Sequence, residues 1–339
     1  MNTKDPIRLV HGGGGRISHQ LIREFFLPIF NDPELFHQND SAILELQSSS
    51  IAFTTDAFVV RPPFFPGGDI GRLAVCGTVN DLAVMGAIPQ YLSVAFILEE
   101  GFSLDALEQV VHSIKASAEE AEVRIVTGDT KVVEKGKGDA IFLHTSGIGV
   151  FPEGRRPVTG AGAKPGDQVL INGPIGRHGL AVLTVREELG FTTHITSDVA
   201  PLNGLIETLF HECKEIHAMR DATRGGVGIV LNEIAMQSGV TIEIDESALP
   251  ISEDVRAVCE LLGLDPLYVA NEGVIVIFLP SHLASQAVET MRKHPYGREA
   301  RIIGRVKENT STPRVVLQTR WGTHRIVDWI SGEALPRIC

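Results

Sequence analysis

Cysteine is rare in this chain, four of 339 residues, and one of the four is the final residue, Cys339. A thiol at the end of a chain can be loaded at one site and processed at another. Tethering also gives it a high effective concentration at its own active site. The plainer alternative is an incidental exposed thiol. The adjacent terminal carboxylate raises the thiol pKa, so attack would need a local base or positive field. The last stretch, 331–339, has no periodicity and contains Pro336, and it reads as a mobile tail.

Four aspartates stand in turn-like or element-end settings: Asp56 in TTDAF, Asp81 in VNDLAVMG, Asp129 in TGDTK and Asp221 in RDATRGG. Hard carboxylate oxygens suit Mg²⁺, which is usually shared between a few carboxylates and substrate phosphates. Asp221 precedes Gly225-Gly226 and a helix start, where free N–H groups suit a phosphate. An Asp in such a place is also a common cap, and the sequence leaves both readings open. Lys131, just after the TGDT turn, can contact phosphate or, if desolvated, act as a base. Glu272, in ANEG ahead of a strand, can serve as a base in a closed site. The glycine run 12–15 can cover a phosphate, although it lacks the Gly-Lys-Ser/Thr ending of a P-loop. For each of these residues the alternative is a solvated surface position or a flexible leader.

The elements that must position these groups are readable in outline. Helices are expected from Ile17 through Leu21, Phe25 and Leu27, over 70–85, after an N-capping Ser103, from the GPIGRHG turn, over 225–238 and over 281–293. Strands are expected at 51–60, 123–127, 139–150, 240–244 and 273–279, with another in QVLIN. The Pro/Gly-dense stretch 152–167 is the best linker. This gives an α/β (α+β) chain of two units, divided as a leader and helix 1–40, an N-terminal domain 41–152, a C-terminal domain 168–312 and a tail 313–339.

A net charge of −12 argues against nucleic acid and against an anionic membrane surface. No apolar run approaches a membrane span, and no signal-peptide core opens the chain. Cys76, Cys213 and Cys259 show no metal or disulfide spacing. A cytoplasmic protein with reduced thiols is expected.

Several blocks together carry a resemblance over essentially the whole chain: FFPGGDIGRLAVCGTVNDLAVMGAIP (64–89), FILEEG (96–101), TGDTKVV (127–133), RDATRGGVG (220–228), ANEG (270–273) and the ending LPRIC (335–339). In combination they resemble the hydrogenase-maturation carbamoyl dehydratases, the HypE family of the PurM/AIR synthetase-like superfamily. TGDT or DATRGG alone would indicate only that superfamily. The resemblance implies a two-domain fold in which the N-terminal domains of a homodimer close a β-barrel. It implies ATP with Mg²⁺ in a cleft near that interface. Nucleotide binding would fall to Gly13, Gly14, Asp56, Asp81, Gly128, Asp129, Thr130 and Asp221. Metal binding would fall to Asp56, Asp81, Asp129 and Asp221, and acid-base work to Lys131 and Glu272. The leader HGGGGR departs from the family in carrying Arg16.

The implied reaction is ATP-dependent dehydration of an S-carbamoyl group on Cys339 to an S-thiocyanate, the source of the cyanide ligand of the [NiFe]-hydrogenase iron. Its implied partners are a carbamoyltransferase of the HypF type and a HypC–HypD scaffold complex. Two rivals remain: a related ATP-dependent enzyme acting on a free small molecule, and a non-catalytic carrier.

Overall fold

The computed structural model describes residues 6–11, 17, 20–37, 50–186, 193–308 and 312–329. Gly13, Gly14, Arg16 and Cys339 lie outside the described residues, as does the stretch 330–339.

Short helical pieces, including α1 (Leu27–Phe30) and α2 (Pro33–His37), precede the first strand, β1 (Ile51–Phe58). A small hairpin, β2 (Phe64–Phe65) and β3 (Gly68–Asp69), leads into helix α3 (Ile70–Val84). Asp69 caps that helix, its Oδ1 accepting from Gly71 N at 2.7 Å and Arg72 N at 3.0 Å. Strand β4 (Ile88–Glu99), helix α4 (Leu104–Glu120), strand β5 (Arg124–Val133) and strand β6 (Ile141–Val150) complete the first unit. Its sheet has the order β1-β6-β4-β5, with β4 and β5 parallel and the other pairs antiparallel.

The second unit runs through β7 (Asp167–Ile171), α5 (Arg177–Arg186), α6 (Asn203–Glu212), β8 (Ala218–Asp221), α7 (Gly226–Ser238), β9 (Thr241–Asp245), α8 (Glu253–Leu262), β10 (Ile275–Pro280), α9 (Ala284–Arg292), β11 (Arg301–Lys307), β12 (Arg314–Gln318) and β13 (His324–Val327). Its seven strands have the order β13-β12-β9-β11-β7-β10-β8. Strands β12 and β13 come from the stretch assigned on sequence to the tail.

The α/β fold expected from the sequence is present, and helix α3 joins its two halves. Apolar residues surround α3, as expected of a helix covered on all sides. It packs on β1, β4 and β6 on one side and touches α6 and β8 on the other. Leu73, Val75, Cys76 and Val79 are fully enclosed in the first core, while Ala83 and Val84 belong to a core of the second half. A residue on the late turns of α3 therefore faces the end of β8.

Three sequence expectations change. The TGDT segment is no turn: it runs within β5, where the parallel partner β4 supplies the hydrogen bonds that hold it extended. Asp56 lies inside β1 and Asp81 inside α3, so of the four aspartates only Asp221 ends an element. Strand β4 was not expected. Its alternation of covered and half-covered residues is clear in the structure, but its apolar stretch reads as either element type in sequence.

Candidate functional site

The site grows from the meeting of α3, β1 and β8. Asp81 accepts a hydrogen bond from Thr54 Oγ1 on β1 at 2.9 Å. Two residues further on, Asp56 points to the same face of β1 and lies beside α3: a methyl group at Gly77 would stand 3.8 Å from its Oδ2. Asp221 ends β8. After it the chain turns through Gly225 and Gly226, both with positive φ, into α7. A side chain at Gly226 would also collide with the carbonyls of Leu267 and Val269. This close approach draws the ANEG segment against the end of β8. Asn271 fastens it, donating to Ala222 O at 2.9 Å and accepting from Gly176 N at 2.7 Å. Glu272 follows, only 4% exposed.

These carboxylates feel one another. Burial pushes the Asp221 pKa up to about 7, and the charges of Asp81 and Asp56 add to the shift. Asp81 is raised by burial and by Asp56, against the Thr54 hydrogen bond. Burial raises Asp56 as well. Glu272 is held well above the ordinary carboxylate range by burial, then by the charges of Asp198, Asp221, Asp56 and Asp81. A cleft of about 600 Å³ opens beside the group, lined among others by Thr54, Asp81, Arg220, Asp221 and Gln237.

Among the described residues, no three acidic, His or Cys side chains stand close enough to hold a metal ion by themselves. That arrangement still fits Mg²⁺, which commonly takes one or two protein carboxylates and completes its shell with phosphate oxygens and water. Asp56, Asp81 and Asp221 are the donor set available, and a cation there would offset the burial that raises all three pKa values and the repulsion that adds to the shifts of Asp81 and Asp221.

The expected four-aspartate site does not form within one chain. The registers pair Asp56 with Thr145, Thr145 with Val94 and Val94 with Gly128, so Asp129 stands one residue out of phase with Asp56. Asp56 and Asp129 therefore point to opposite faces of the sheet. They are also three strands apart, about 14 Å at the usual strand spacing. Asp129 and Lys131 share the outer face and an exposed ion pair of 3.3 Å. Gly128, Asp129, Thr130 and Lys131 all line a smaller, largely apolar pocket with Phe26 and Phe96.

The sequence reading missed Thr54, Asn80, Asn271 and Asp198, which orient the site. Asn80 Nδ2 donates to Ala200 O at 3.0 Å and its Oδ1 accepts from Leu202 N at 2.8 Å. Both Asn80 and Asn271 directly precede a predicted site residue, in ND and NE. A polar residue in an otherwise apolar run, which must find partners if buried, was the available signal. Asp198 left no comparable mark.

The profile of the AIR synthase related protein N-terminal domain matches residues 38–151, and that of the C-terminal domain matches 164–316. The carbamoyl dehydratase HypE of Azotobacter vinelandii is 51% identical over 333 residues, covering 98% of this chain and 97% of that protein. A crystal structure of hydrogenase maturation protein HypE in complex with ATP superposes with a TM-score of 0.93 at 47% identity, covering 98% of this chain and 99% of that one. A chain of a HypE–HypF complex matches with a TM-score of 0.80 at 52% identity, over 91% of this chain and 99% of its own length. With half of its residues shared across nearly the full length of both chains, this protein belongs to the carbamoyl dehydratase HypE family of AIR synthase-related proteins.

Proposed function

We propose that the chain converts an S-carbamoyl group on Cys339 into an S-thiocyanate with ATP, at the cleft that Asp81 and Asp221 line, with Asp56 and Glu272 close by. The observation that carries the chemistry is the placement of the buried Glu272 by the ANEG segment against the end of β8, next to a carboxylate cluster suited to a cation. Family membership supplies the reaction class. A HypE chain that binds ATP supports ATP as the phosphoryl donor.

The carbamoyl oxygen is a poor leaving group as oxide. Transfer of the γ-phosphoryl group to it breaks the bond to the bridging oxygen of ATP, releases ADP and forms a new O–P bond, and breaking the C–O bond then releases phosphate. Two N–H protons leave the nitrogen as the C≡N bond forms. Glu272, as its carboxylate, takes one. The other leaves with phosphate and solvent. Mg²⁺, held by carboxylates of this set, would offset phosphate charge.

Asp129 and Lys131 lie across the sheet from this centre, so their part is supplied by a second subunit. The outer face of the first sheet supports that arrangement. It carries Phe53, 66% exposed, with Ile51 and Ile97 also uncovered. A homodimer closing a β-barrel over this face would bury them and bring Asp129 and Lys131 to the partner's cleft.

The HypE–HypF complex supports a carbamoyltransferase of the HypF type as the source of the carbamoyl group. A HypC–HypD scaffold would receive the cyanide. The buried free thiols of Cys76, Cys213 and Cys259 suit a reducing, cytoplasmic setting. No helix among the described residues is long and apolar enough to cross a membrane.

The test is intact mass after incubation with the carbamoyltransferase, carbamoyl phosphate and ATP, with and without Mg²⁺. The expected result is a carbamoyl adduct that loses one water only with ATP and Mg²⁺, and no adduct in Cys339→Ala. An unmodified Cys339 under loading conditions would instead favour a superfamily enzyme acting on a free small molecule.

A further inference from the structure

Behind Glu272 stands a second carboxylate, Asp198, in the irregular residues 193–202 ahead of α6. Its Oδ2 accepts the backbone N–H of Glu272 at 3.1 Å and of Gly273 at 2.9 Å. The two segments touch: a methyl group at Gly273 would lie 1.9 Å from the Asp198 carbonyl oxygen, so only glycine fits there. The Ala200 N–H returns to the Glu272 carbonyl at 3.4 Å. Asn80 Nδ2, from α3, reaches the same carbonyl at 3.5 Å. Asp198 thus holds the N–H of both peptide groups flanking Glu272, and Ala200 and Asn80 hold the carbonyl of the second.

The other oxygen of Asp198, Oδ1, is buried and has no hydrogen-bond partner among the described residues. A buried carboxylate with a bare oxygen costs stability. An asparagine could accept from the same N–H groups without a buried charge. Burial accordingly raises the Asp198 pKa, opposed by its backbone hydrogen bonds and by Arg177. Costly polar arrangements of this kind persist where they orient a reacting group.

We propose that Asp198 is a positioning residue for Glu272: by gripping the N–H groups of residues 272 and 273, it fixes the Glu272 carboxylate beside Asp81 and Asp221. The proposal rests on the reading of Glu272 as the base. Asp198 touches neither nucleotide nor carbamoyl group and acts only through that loop. Displacing a base by about 1 Å costs on the order of 10²-fold in rate.

The experiment uses full-length protein already carbamoylated on Cys339, with ATP and Mg²⁺, and follows thiocyanate formation in a single turnover. Asp198→Ala and Asp198→Glu are compared with the parent, and Asp198→Ala is also placed in a Glu272→Gln background. Thermal melts accompany each variant. Asp198→Glu keeps the carboxyl group but moves the acceptor, and it carries the comparison if Asp198→Ala does not fold. The expected result is a rate about 10²-fold lower in either single variant, with half-saturation by ATP within about twofold of the parent. In the Glu272→Gln background, Asp198→Ala should slow the reaction no further, because the group it positions is already gone.

An equal slowing in both backgrounds would overturn the proposal, as would a raised ATP requirement with an unchanged maximal rate. Parental rates in both Asp198 variants, with Glu272→Gln slow, would sink the positioning role alone. A parental rate in Glu272→Gln would sink the base reading on which it rests.

Discussion

Asp56, in TTDAF, and Asp129, in TGDTK, sit on the two edge strands of one sheet and point to its opposite faces. Helix α3 and the end of β8 cover the inner face. There Asp56 joins Asp81, Asp221 and Glu272; burial lifts all four pKa values, and neighbouring carboxylates lift those of Asp81, Asp221 and Glu272 further. Among the described residues nothing covers Ile51, Phe53 and Ile97 on the outer face, and Asp129 lies exposed against Lys131. The same residue type is thus a strained, reactive group in one region and a solvated one in the other. The burial partner decides which. The inner face has its partner within the chain, and in the account above the outer face finds its own in a second subunit.

The largest effect should come from the inner region. Glu272→Gln is expected to lower the rate of thiocyanate formation by about 10²–10⁴-fold while leaving carbamoylation of Cys339 intact, measured by intact mass over time. Asp221→Asn should lower ATP-dependent turnover by about 10²–10³-fold, read from phosphate release. If either variant retains the parental rate, the inner cluster is not the reacting centre.

The outer region breaks differently. Phe53→Arg places a charge on the uncovered face without touching the carboxylates. Sedimentation should show a shift from dimer to monomer, and turnover should fall with the dimer fraction. A monomeric variant with full turnover would separate the outer face from the chemistry.

The smallest effect is on stability. An acid whose folded pKa is raised stabilises the fold in its protonated form. For Asp221 this contribution is complete below about pH 3.8 and is lost as pH rises through about 7. Between those limits the nucleotide-free protein should lose thermal stability through this group. Asp221→Asn should flatten that decline and melt a few degrees higher than the parent at pH 8. A lower melting temperature for the variant at pH 8 would contradict the repulsion.

Much of this site was visible in the sequence as residue types. Asp56, Asp81, Asp221 and Glu272 were all singled out, and Asp221 was placed correctly ahead of a helix start. Their grouping was not visible, because it depends on α3 bridging the two halves. Nor was the separation of Asp129. Strand parity fixes which face a side chain takes, and parity depends on the pairing register across β6 and β4, the latter a strand the sequence reading did not find. The TGDT segment was misread for a related reason. Gly and Asp favour turns locally, and only the tertiary pairing with β4 makes that stretch a strand. Asp198 sits in irregular chain with no periodicity, and only the hydrogen bonds to the ANEG backbone reveal it.

The most direct test of a centre assembled from two subunits mixes two inactive variants, Lys131→Ala and Glu272→Gln, after dissociation and reassociation. A mixed dimer would then hold one intact site, with Glu272 from one subunit and Lys131 from the other. The account predicts that the mixture recovers about a quarter of parental turnover, since about half of random dimers are mixed and each has one working site. No recovery, with mixed dimers demonstrated by mass, would place Lys131 and Glu272 in the same subunit's site and contradict the account.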